Sequence, residues 1–289
     1  MTMTKPPNKL VALFLVRNEE WILRASLTAA REWCDQIIVM DHNSIDSTPQ
    51  IAKDMADVYI RKDGDEWFEM EFRQELLNAG RKLEGTHFAL IDADEILTAN
   101  LYESVRNAVF SYRCGEVFLV PMVTVWRSPF QYRNDLGSPW ANARISVAFA
   151  DDRFGPLEPK IHYSVGREKY QHHQREPKFN RGLVYHGVKT GGCMHLQWVV
   201  WDRVVAKHRW YKMMERVRYP EKPPELIDRQ YNLTINEDGL NLANIPSEWI
   251  DPAVFDQIVL DHTPWHVEAC REMIRKHGEA MFGGLELWW

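Results

Sequence analysis

The stretch His87-Phe88-Ala89-Leu90-Ile91-Asp92-Ala93-Asp94-Glu95 decides the fold that we predict for this chain. Its first five residues have the length and apolar character of a buried β-strand. Two carboxylates, Asp92 and Asp94, follow the strand two positions apart, so in an extended backbone they point to the same side. We therefore predict a buried strand that carries a pair of oxygen ligands at its carboxyl end.

Strand and helix patterns alternate on both sides of this stretch. Apolar runs predict strands at 10–16, 36–40, 57–60, 87–91 and 116–126, and helical spacing predicts helices at 19–33, from 47 onward, at 66–83, 101–112 and 201–217. This alternation is typical of a parallel sheet with helices on its faces. Ligands of such sheets bind beyond the carboxyl ends of the strands, so the chemistry is expected there.

The composition is that of an ordinary globular protein. Of 289 residues, 45% are hydrophobic and 26% are charged, which argues against a disordered or fibrous chain. No apolar run approaches the roughly 20 residues of a membrane span, so we expect no transmembrane segment. The four cysteines lie far apart, which is typical of a reducing compartment and predicts a cytoplasmic protein.

The charge is unevenly distributed along the chain. The net charge is −6, yet residues 160–222 contain 14 Lys or Arg against five Asp or Glu. A basic stretch in an acidic chain indicates an anionic ligand such as a phosphate group, or else a solvated basic surface. The sequence leaves both interpretations open.

Carboxylates follow three of the predicted strands. Asn18-Glu19 follows the first strand, Asp41 the second and Asp92 with Asp94 the fourth. The Asp92–Asp94 pair would suit Mg²⁺ or Mn²⁺ completed by substrate phosphates, or the two residues could simply cap the next helix. Asp41 could accept hydrogen bonds from a nucleobase or ribose, or belong to a plain strand-to-helix turn.

These motifs together resemble the family 2 glycosyltransferases of the GT-A fold. The resemblance is carried by Asn18-Glu19, by Asp41 with Ser44-Ile45-Asp46-Ser47-Thr48, by Arg73 with Asn78, and by Asp92-Ala93-Asp94-Glu95, and it covers residues 9–126 closely. One departure is visible, because the family's Asp-Asp-Gly-Ser-Thr-Asp run reads Asp41-His42-Asn43-Ser44-Ile45-Asp46 here.

The resemblance implies both a fold and an activity. The fold is α/β, with a mainly parallel Rossmann-like central sheet, helices on both faces and a helical C-terminal extension. A glycosyltransferase domain is expected at 1–219, with its nucleotide-sugar-binding half at 9–126 and its acceptor half at 127–219, followed by the extension at 220–289. The activity is sugar transfer, by analogy inverting, from a nucleotide-diphosphate sugar, in particular a UDP-sugar. The acceptor would be a hydroxyl of a glycan, a lipid-linked sugar or a modified nucleic acid.

The resemblance also assigns roles to residues. Nucleotide-sugar contacts are expected from Arg17, Asn18, Glu19, Asp41, Asn43, Arg73, Asp92 and Ala93, and metal ligation of Mn²⁺ or Mg²⁺ from Asp92 and Asp94. A looser match over 195–211 adds His195 as a third metal ligand, and adds Arg203 and Lys207, which share a helix face at i, i+4, as contacts of the donor diphosphate.

Glycosyl transfer also needs a carboxylate that accepts the acceptor proton. Asp135 and Glu158 are the favoured candidates, and Asp151 and Asp152 are the others. Trp126, Trp140, Trp198 and Trp201 are possible acceptor-site aromatics, whereas Trp21 and Trp33 are expected in the core.

Three other functions compete with glycosyl transfer. A metal-dependent phosphohydrolase could use the same Asp pair with water as the acceptor. A nucleotidyltransferase could be built on a similar sheet, although the first loop, Arg17-Asn18-Glu19-Glu20, lacks the glycines expected of one. A non-catalytic module could bind nucleotide sugars or nucleic acid.

Overall fold

A computed structural model describes residues 7–135, 144–151, 160–163, 169–172, 182–185 and 191–287, and for residues 144–146, 160–163, 169–172 and 182–185 the backbone alone. The strands are β1 Leu10–Val16, β2 Gln36–His42, β3 Val58–Lys62, β4 His87–Ile91, β5 Glu95–Leu97, β6 Glu116–Trp126, β7 Gln131–Arg133, β8 Arg144–Ala150, β9 Lys160–Tyr163, β10 Lys169–His172, β11 Gly182–Tyr185, β12 Cys193–Trp198 and β13 Leu242–Asn244. The helices are α1 Leu23–Trp33, α2 Thr48–Met55, α3 Glu69–Lys82, α4 Tyr102–Phe110, α5 Trp201–Arg218, α6 Pro224–Asn232, α7 Pro252–Phe255 and α8 His266–His277.

The chain forms two compact units. Unit 1 comprises residues 1–122, 143–194 and 246–259, and unit 2 comprises 123–142, 195–245 and 260–289. The predicted boundary between residues 219 and 220 falls inside unit 2 and stays a prediction.

The sheet of unit 1 confirms the predicted α/β fold class. Its strands lie in the order β6-β8-β4-β1-β2-β3. β1 runs parallel to both β2 and β4, and β2 runs parallel to β3. Only β8 reverses direction within this order, because it pairs antiparallel with β4 and with β6. The sheet is therefore mainly parallel. The three strands whose carboxyl ends carry carboxylates, β1, β2 and β4, lie side by side.

Side chains of α3 and the sheet form the core beneath these strands. Leu13, Leu76, Leu77 and Phe88 are fully buried in one cluster. Burial of each such side chain contributes roughly 1.5–3 kcal/mol. Gly80 lets α3 approach β4 closely, because a Cβ atom there would lie 2.5 Å from the Phe88 ring.

Helix α1 begins later than the sequence predicts, at Leu23 rather than residue 19. Asn18 adopts a left-handed φ of 54°, which is incompatible with a helical start. The backbone N–H groups of Glu19 and Glu20 donate instead to the side chains of Thr48 and Asp46, at 2.8 and 3.2 Å. The first loop is thus held by Asp46 of the second loop and by Thr48, the first residue of α2.

Unit 2 contains the helices α5, α6 and α8. A cluster of buried and partly buried apolar side chains, including Trp210, Met213, Cys270 and Met273, forms its core where α5 and α8 pack. The Lys212 ammonium is completely buried and lies 2.8 Å from the Asp228 carboxylate of α6. Across the described ranges, no helix combines the length and the apolar character that crossing a membrane requires.

Candidate functional site

The acidic strand ends lie at one edge of the unit 1 sheet. The register places Val16 of β1 beside Asp41 of β2, and Phe14 of β1 beside Ile91 of β4. β1 therefore separates Asp41 from Asp92 by two strand spacings of about 5 Å each. The carboxyl ends of β1, β2 and β4, together with the loops that follow them, are called the strand-end site below.

A buried arginine holds Asp92 in place. The Arg73 side chain is 2% exposed, and its Nη2 atom donates to Asp92 Oδ1 at 2.7 Å. Its Nε atom donates to Glu69 Oε1 at 3.0 Å, one helical turn earlier. The Asp92 side chain keeps 22% of its surface exposed. Arg73 thus positions the carboxylate, which can still meet a ligand.

The Asp92–Glu95 segment is a tight turn. The Glu95 N–H donates to the Asp92 carbonyl oxygen at 3.1 Å, and the Asp92 N–H donates to Glu95 Oε2 at 3.3 Å. Ala93, Asp94 and Glu95 are all buried. Glu95, whose role the sequence analysis missed, therefore fixes the backbone from which Asp92 and Asp94 project.

Two carboxylates fit a divalent cation only in combination with other oxygen ligands. In the part of the chain that the structure describes, no three His, Cys, Asp or Glu side chains are grouped to hold a metal ion. Mg²⁺ commonly uses one or two carboxylates, several waters and substrate phosphates rather than a full protein cage. Asp92 and Asp94 fit that kind of site, with the remaining ligands supplied by substrate and water.

Asp41 has a different environment from Asp92. Its side chain is fully buried, and its Oδ2 atom accepts hydrogen bonds from Tyr59 Oη at 3.0 Å and from Arg61 Nη1. Its Oδ1 atom accepts from the Ser44 N–H at 3.2 Å. A carboxylate oxygen accepts about two hydrogen bonds. The buried carboxylate is therefore enclosed by these donors, while the partly exposed Arg61 side chain offers donors at the surface.

Tyr59 and Arg61 are functional-site residues that the sequence analysis missed. The β2–β3 register sets Arg61 directly beside Asp41. Burial and then the hydrogen bond to Asp41 raise the pKa of Tyr59. Burial opposes the charge of Arg61, but hydrogen bonds to Asp41 and Asp63 outweigh it and raise the pKa of this arginine. The available signal was the Tyr-x-Arg spacing of β3, which places both side chains on one face of the sheet.

Two asparagines shape the loops of the site. Asn18 and Asn43 have φ values of 54° and 52°, in the left-handed region that asparagine tolerates. Asn18 Oδ1 accepts from the Ile45 N–H at 2.8 Å, and the Asn18 N–H donates to Ser44 Oγ at 2.8 Å. Asn43 Oδ1 accepts from Arg61 Nη2 at 3.0 Å. These contacts join the loops after β1 and β2.

Glu19 and Arg17 complete the first loop. Glu19 Oε2 accepts from Trp21 Nε1 at 2.7 Å. Arg17 Nη1 lies 3.4 Å from His42 Nδ1, and its Nη2 lies 3.6 Å from Asp65. The structure therefore brings every predicted donor-binding residue of unit 1 to the strand-end site. Their contacts with a nucleotide sugar stay predictions.

His42, which departs from the family pattern, is a buried ring at this site. It packs against Trp67 and Phe72 with ring centroids 5.1 and 5.2 Å away. Burial and then the Arg17 charge lower the pKa of His42. Trp67 is 43% exposed, so a large aromatic surface borders the β2 strand end.

The candidate general bases are not equally suited to accept a proton. Asp135, in unit 2, accepts from Arg133 Nε at 3.0 Å and from Nη2 at 2.7 Å. This pairing lowers the pKa of Asp135 and opposes its predicted role, which stays a prediction. Asp151 is likewise paired with Arg81, at 2.7 and 2.9 Å. Asp152 and Glu158 lie outside the described residues.

The proposed acceptor-site tryptophans divide into core and surface residues. Trp126 and Trp198 are buried, and their rings stack at 5.8 Å in one cluster of unit 2. Their burial contradicts the acceptor-site prediction, because neither ring offers a free face. Trp201 is partly buried under the Arg127 guanidinium, 3.6 Å from the ring centroid. Trp140 lies outside the described residues, and Trp21 and Trp33 are in the core as predicted.

The remaining predicted residues belong to unit 2. Arg203 is 1% exposed, which excludes a solvated helix face for this arginine. Lys207 Nζ donates to Gln197 Oε1 at 3.0 Å. The His195 ring lies edge-on to Trp198 with centroids 5.0 Å apart. The roles of Arg203 and Lys207 in donor binding and of His195 in metal binding stay predictions.

Comparison with known proteins finds likeness only among solved structures. No protein-family model matches the chain, and no curated protein sequence matches it. Staphylococcus aureus TarS in complex with UDP is 17% identical over 40% of this chain and 36% of that one, with a TM-score of 0.33. Mycobacterium tuberculosis glucosyl-3-phosphoglycerate synthase with Mg²⁺ and UDP is 18% identical over 40% and 44%, with a TM-score of 0.32.

The similar structures include more than one activity. A nucleotidyl transferase from Methanothermobacter is 13% identical over 51% of this chain and 74% of that one, with a TM-score of 0.33. These two matches cover less than half of the other chain, 36% of TarS in its UDP complex and 44% of the synthase. Likeness at these scores leaves the function to be argued from the strand-end site itself.

Proposed function

We propose that this protein is a glycosyltransferase that transfers a sugar from a nucleoside-diphosphate sugar to an acceptor hydroxyl, with the donor at the strand-end site. One observation carries the proposal: the Asp92–Glu95 turn at the end of β4 contains two aspartates two positions apart, and one of them, Asp92, is fixed by the buried Arg73 while part of its side chain stays exposed. The motif resemblance over residues 9–126 supports this interpretation, with a UDP-sugar as the favoured donor.

The charges of the site match the parts of such a donor. Asp92 and Asp94 would hold Mn²⁺ or Mg²⁺, and the bound cation would neutralise charge on the leaving diphosphate. About two strand spacings away, the partly exposed Arg61 guanidinium, which the buried Asp41 holds, would donate hydrogen bonds to a nucleobase or ribose. Asp41, Arg61 and the adjacent exposed Trp67 thus form the nucleoside end of the site, and Asp92 and Asp94 form the diphosphate end.

The acceptor side of the reaction is less defined. An acceptor hydroxyl must lose a proton to a carboxylate within hydrogen-bond reach. Asp135 is engaged by Arg133, so among the favoured candidates Glu158 is the stronger hypothesis. We expect inversion at the anomeric carbon, by analogy with the family, and an acceptor that is a glycan, a lipid-linked sugar or a modified nucleic acid.

The deciding experiment compares Asp94→Asn with the wild-type protein. Thermal unfolding and calorimetry with UDP, GDP, CDP, dTDP and ADP, each with and without Mn²⁺, should identify one stabilising nucleotide. We expect Asp94→Asn to weaken its Mn²⁺-dependent binding at least about 10-fold, since the variant removes one of the two carboxylate charges. Asp256→Asn, at an exposed carboxylate of the same unit, should bind like the wild type.

The same preparations separate the competing functions. Consumption of a nucleotide sugar that requires an added acceptor supports sugar transfer. Equally fast release of sugar phosphate or nucleotide without an acceptor supports a phosphohydrolase. Binding without turnover supports a non-catalytic module, and unchanged nucleotide binding in Asp94→Asn would contradict the proposed site.

A further inference from the structure

Two Asp-Gly pairs occur in the sequence, Asp63-Gly64 in unit 1 and Asp238-Gly239 in unit 2. The backbone nitrogen that follows an aspartate can attack the carboxyl carbon of the aspartate side chain. A glycine at the second position has no Cβ atom that would hinder this approach. Both pairs are therefore places where the backbone can be modified, and their surroundings decide how fast the reaction is.

Asp63-Gly64 lies at the beginning of the loop between β3 and α3 and is open to solvent. The Asp63 side chain is 84% exposed. Gly64 has a left-handed φ of 99°, and no atom of the described residues lies within 4 Å of the position that a Cβ atom would occupy. The Gly64 N–H, which is the attacking group, donates to no acceptor among the described residues. Few contacts therefore hold this pair away from the reactive arrangement.

Asp238-Gly239 places the same two residues in a closed turn. The Leu240 N–H donates to the Glu237 carbonyl oxygen at 3.0 Å across the pair, and the Asp238 N–H donates to Asn236 Oδ1 at 2.9 Å. Opening this turn gives up at least one hydrogen bond, and the net worth of one such bond corresponds to a roughly 5-fold smaller open population. The same chemistry should therefore be slower at this pair.

We propose that Asp63-Gly64 is a site of spontaneous isoaspartate formation, at which the chain modifies its own backbone. The Gly64 nitrogen forms a bond to Asp63 Cγ, and one carboxyl oxygen leaves as water with the amide proton and one proton from solvent. The product is a five-membered succinimide ring. A water molecule then adds to the ring, and cleavage of its bond from nitrogen to the Asp63 carbonyl carbon leaves the main chain running through Cγ.

The modification changes a contact of the strand-end site. Asp63 Oδ1 accepts a hydrogen bond from Arg61 Nε at 3.1 Å, and Arg61 also donates to the buried Asp41. Isoaspartate adds one carbon to the main chain and leaves the free carboxylate on Cα, so this carboxylate no longer lies where Arg61 Nε meets it. We expect nucleotide binding to weaken as isoaspartate accumulates, and this consequence alone rests on the proposed function.

Peptide mapping of the full folded chain, incubated at neutral pH and sampled over several weeks, tests the site. Enzymatic methylation of isoaspartate followed by mass spectrometry gives its amount at each pair. The 63–64 peptide should accumulate isoaspartate at least about 3-fold faster than the 238–239 peptide, because only the second pair must break a turn hydrogen bond. In urea the two rates should converge. Asp63→Glu should abolish the signal at 63–64, and the matched variant Asp238→Glu should leave it unchanged.

Equal rates at the two pairs of the folded protein, or isoaspartate at 63–64 only in the unfolded chain, would overturn the proposal. Calorimetry with the nucleotide that binds the fresh protein then measures the consequence. Binding that falls in step with isoaspartate in the wild type, but stays at its initial value in Asp63→Glu, supports it. Isoaspartate without a loss of binding contradicts the consequence for the site. Failure of every nucleotide to bind the fresh protein would contradict the proposed function and leave the modification standing.

Discussion

An aspartate stands at the carboxyl end of β2 and another at that of β4, Asp41 and Asp92, and the two side chains have opposite environments. Asp41 is fully buried and accepts hydrogen bonds from Ser44, Tyr59 and Arg61. Asp92 is held at one oxygen by Arg73 and keeps 22% of its side chain exposed. At β2 the charge of the carboxylate is neutralised within the protein, whereas at β4 Arg73 pairs with one carboxylate oxygen and leaves part of the side chain exposed.

The difference lies in which partner is buried. At β4 the arginine is buried, at 2% exposure, and the carboxylate reaches the surface. At β2 the carboxylate is buried, and the Arg61 side chain is 32% exposed. A ligand would therefore meet a carboxylate at one end of the site and a guanidinium at the other. Replacing the arginine of each pair should therefore lower the free energy of unfolding by a different amount.

Arg73→Met should have the largest effect on stability. It leaves the buried Glu69 without its charge partner, and losing one member of a buried pair typically costs about 3–5 kcal/mol. Urea unfolding should report this loss in the free energy of unfolding. Arg271→Met, at an exposed ion pair, should change it by less than about 1 kcal/mol.

A double variant makes this expectation more specific. Glu69→Leu combined with Arg73→Met removes both buried charges, and apolar replacement of a buried pair is often neutral or stabilising. The double variant should therefore recover a large part of the loss, although Asp92 would lose its anchor. A single-variant loss below about 1 kcal/mol would show that the buried Arg73–Glu69 pair does not stabilise the fold.

Arg61→Met should cost less, about 1–3 kcal/mol, because Asp41 keeps Tyr59 and Ser44 as donors. The free energy of unfolding is again the measurement, with Arg113→Met, at an 86% exposed side chain, as the control. If Arg61 is the group that meets the nucleoside, Arg61→Met should also weaken nucleotide binding more than Tyr59→Phe does. Equal binding by the two variants would assign Arg61 to structure alone.

The sequence predicts the sheet well because its signals there are local. Continuous apolar runs predict β1 and β4 with their observed limits. The carboxylates follow strands that are predicted to run parallel, so the sequence also predicts that they lie at one edge of the sheet. The start of α1 was predicted four residues too early. The backbone N–H groups of Glu19 and Glu20 are tied instead to Thr48, the first residue of α2, and to Asp46 in the loop before it. No local pattern reports a contact of that kind.

The site is predicted less completely, because its contacts also join residues that are distant in the sequence. Asp41 and Asp92 are recognisable by type and position, but their partners are set by strand register and helix packing. Arg61 is 20 residues from Asp41 in sequence and becomes its neighbour only when β3 pairs with β2. Burial also separates Trp126 and Trp198, which are core residues, from the exposed Trp67, although all three have the same side chain.

The smallest expected effect is a pH dependence at the β2 end. Burial, followed by repulsion from Arg17, lowers the pKa of His42 below its ordinary 6.5. The unfolded chain therefore binds a proton at a higher pH than the folded protein does. The stability that the neutral ring contributes is complete above about pH 6.5 and is lost as the pH falls through the folded-state pKa.

Urea unfolding of the wild type and of His42→Phe between pH 5 and 8 measures this effect. Phenylalanine keeps the aromatic contacts with Trp67 and Phe72 but carries no proton. The difference in unfolding free energy between the two proteins should be constant above pH 7 and should move in favour of the variant as the pH falls below 6.5. Parallel curves over the whole range would show that His42 is not held neutral by its burial. The β2 end would then be fixed by the Asp41–Arg61 pair without a contribution from the ring.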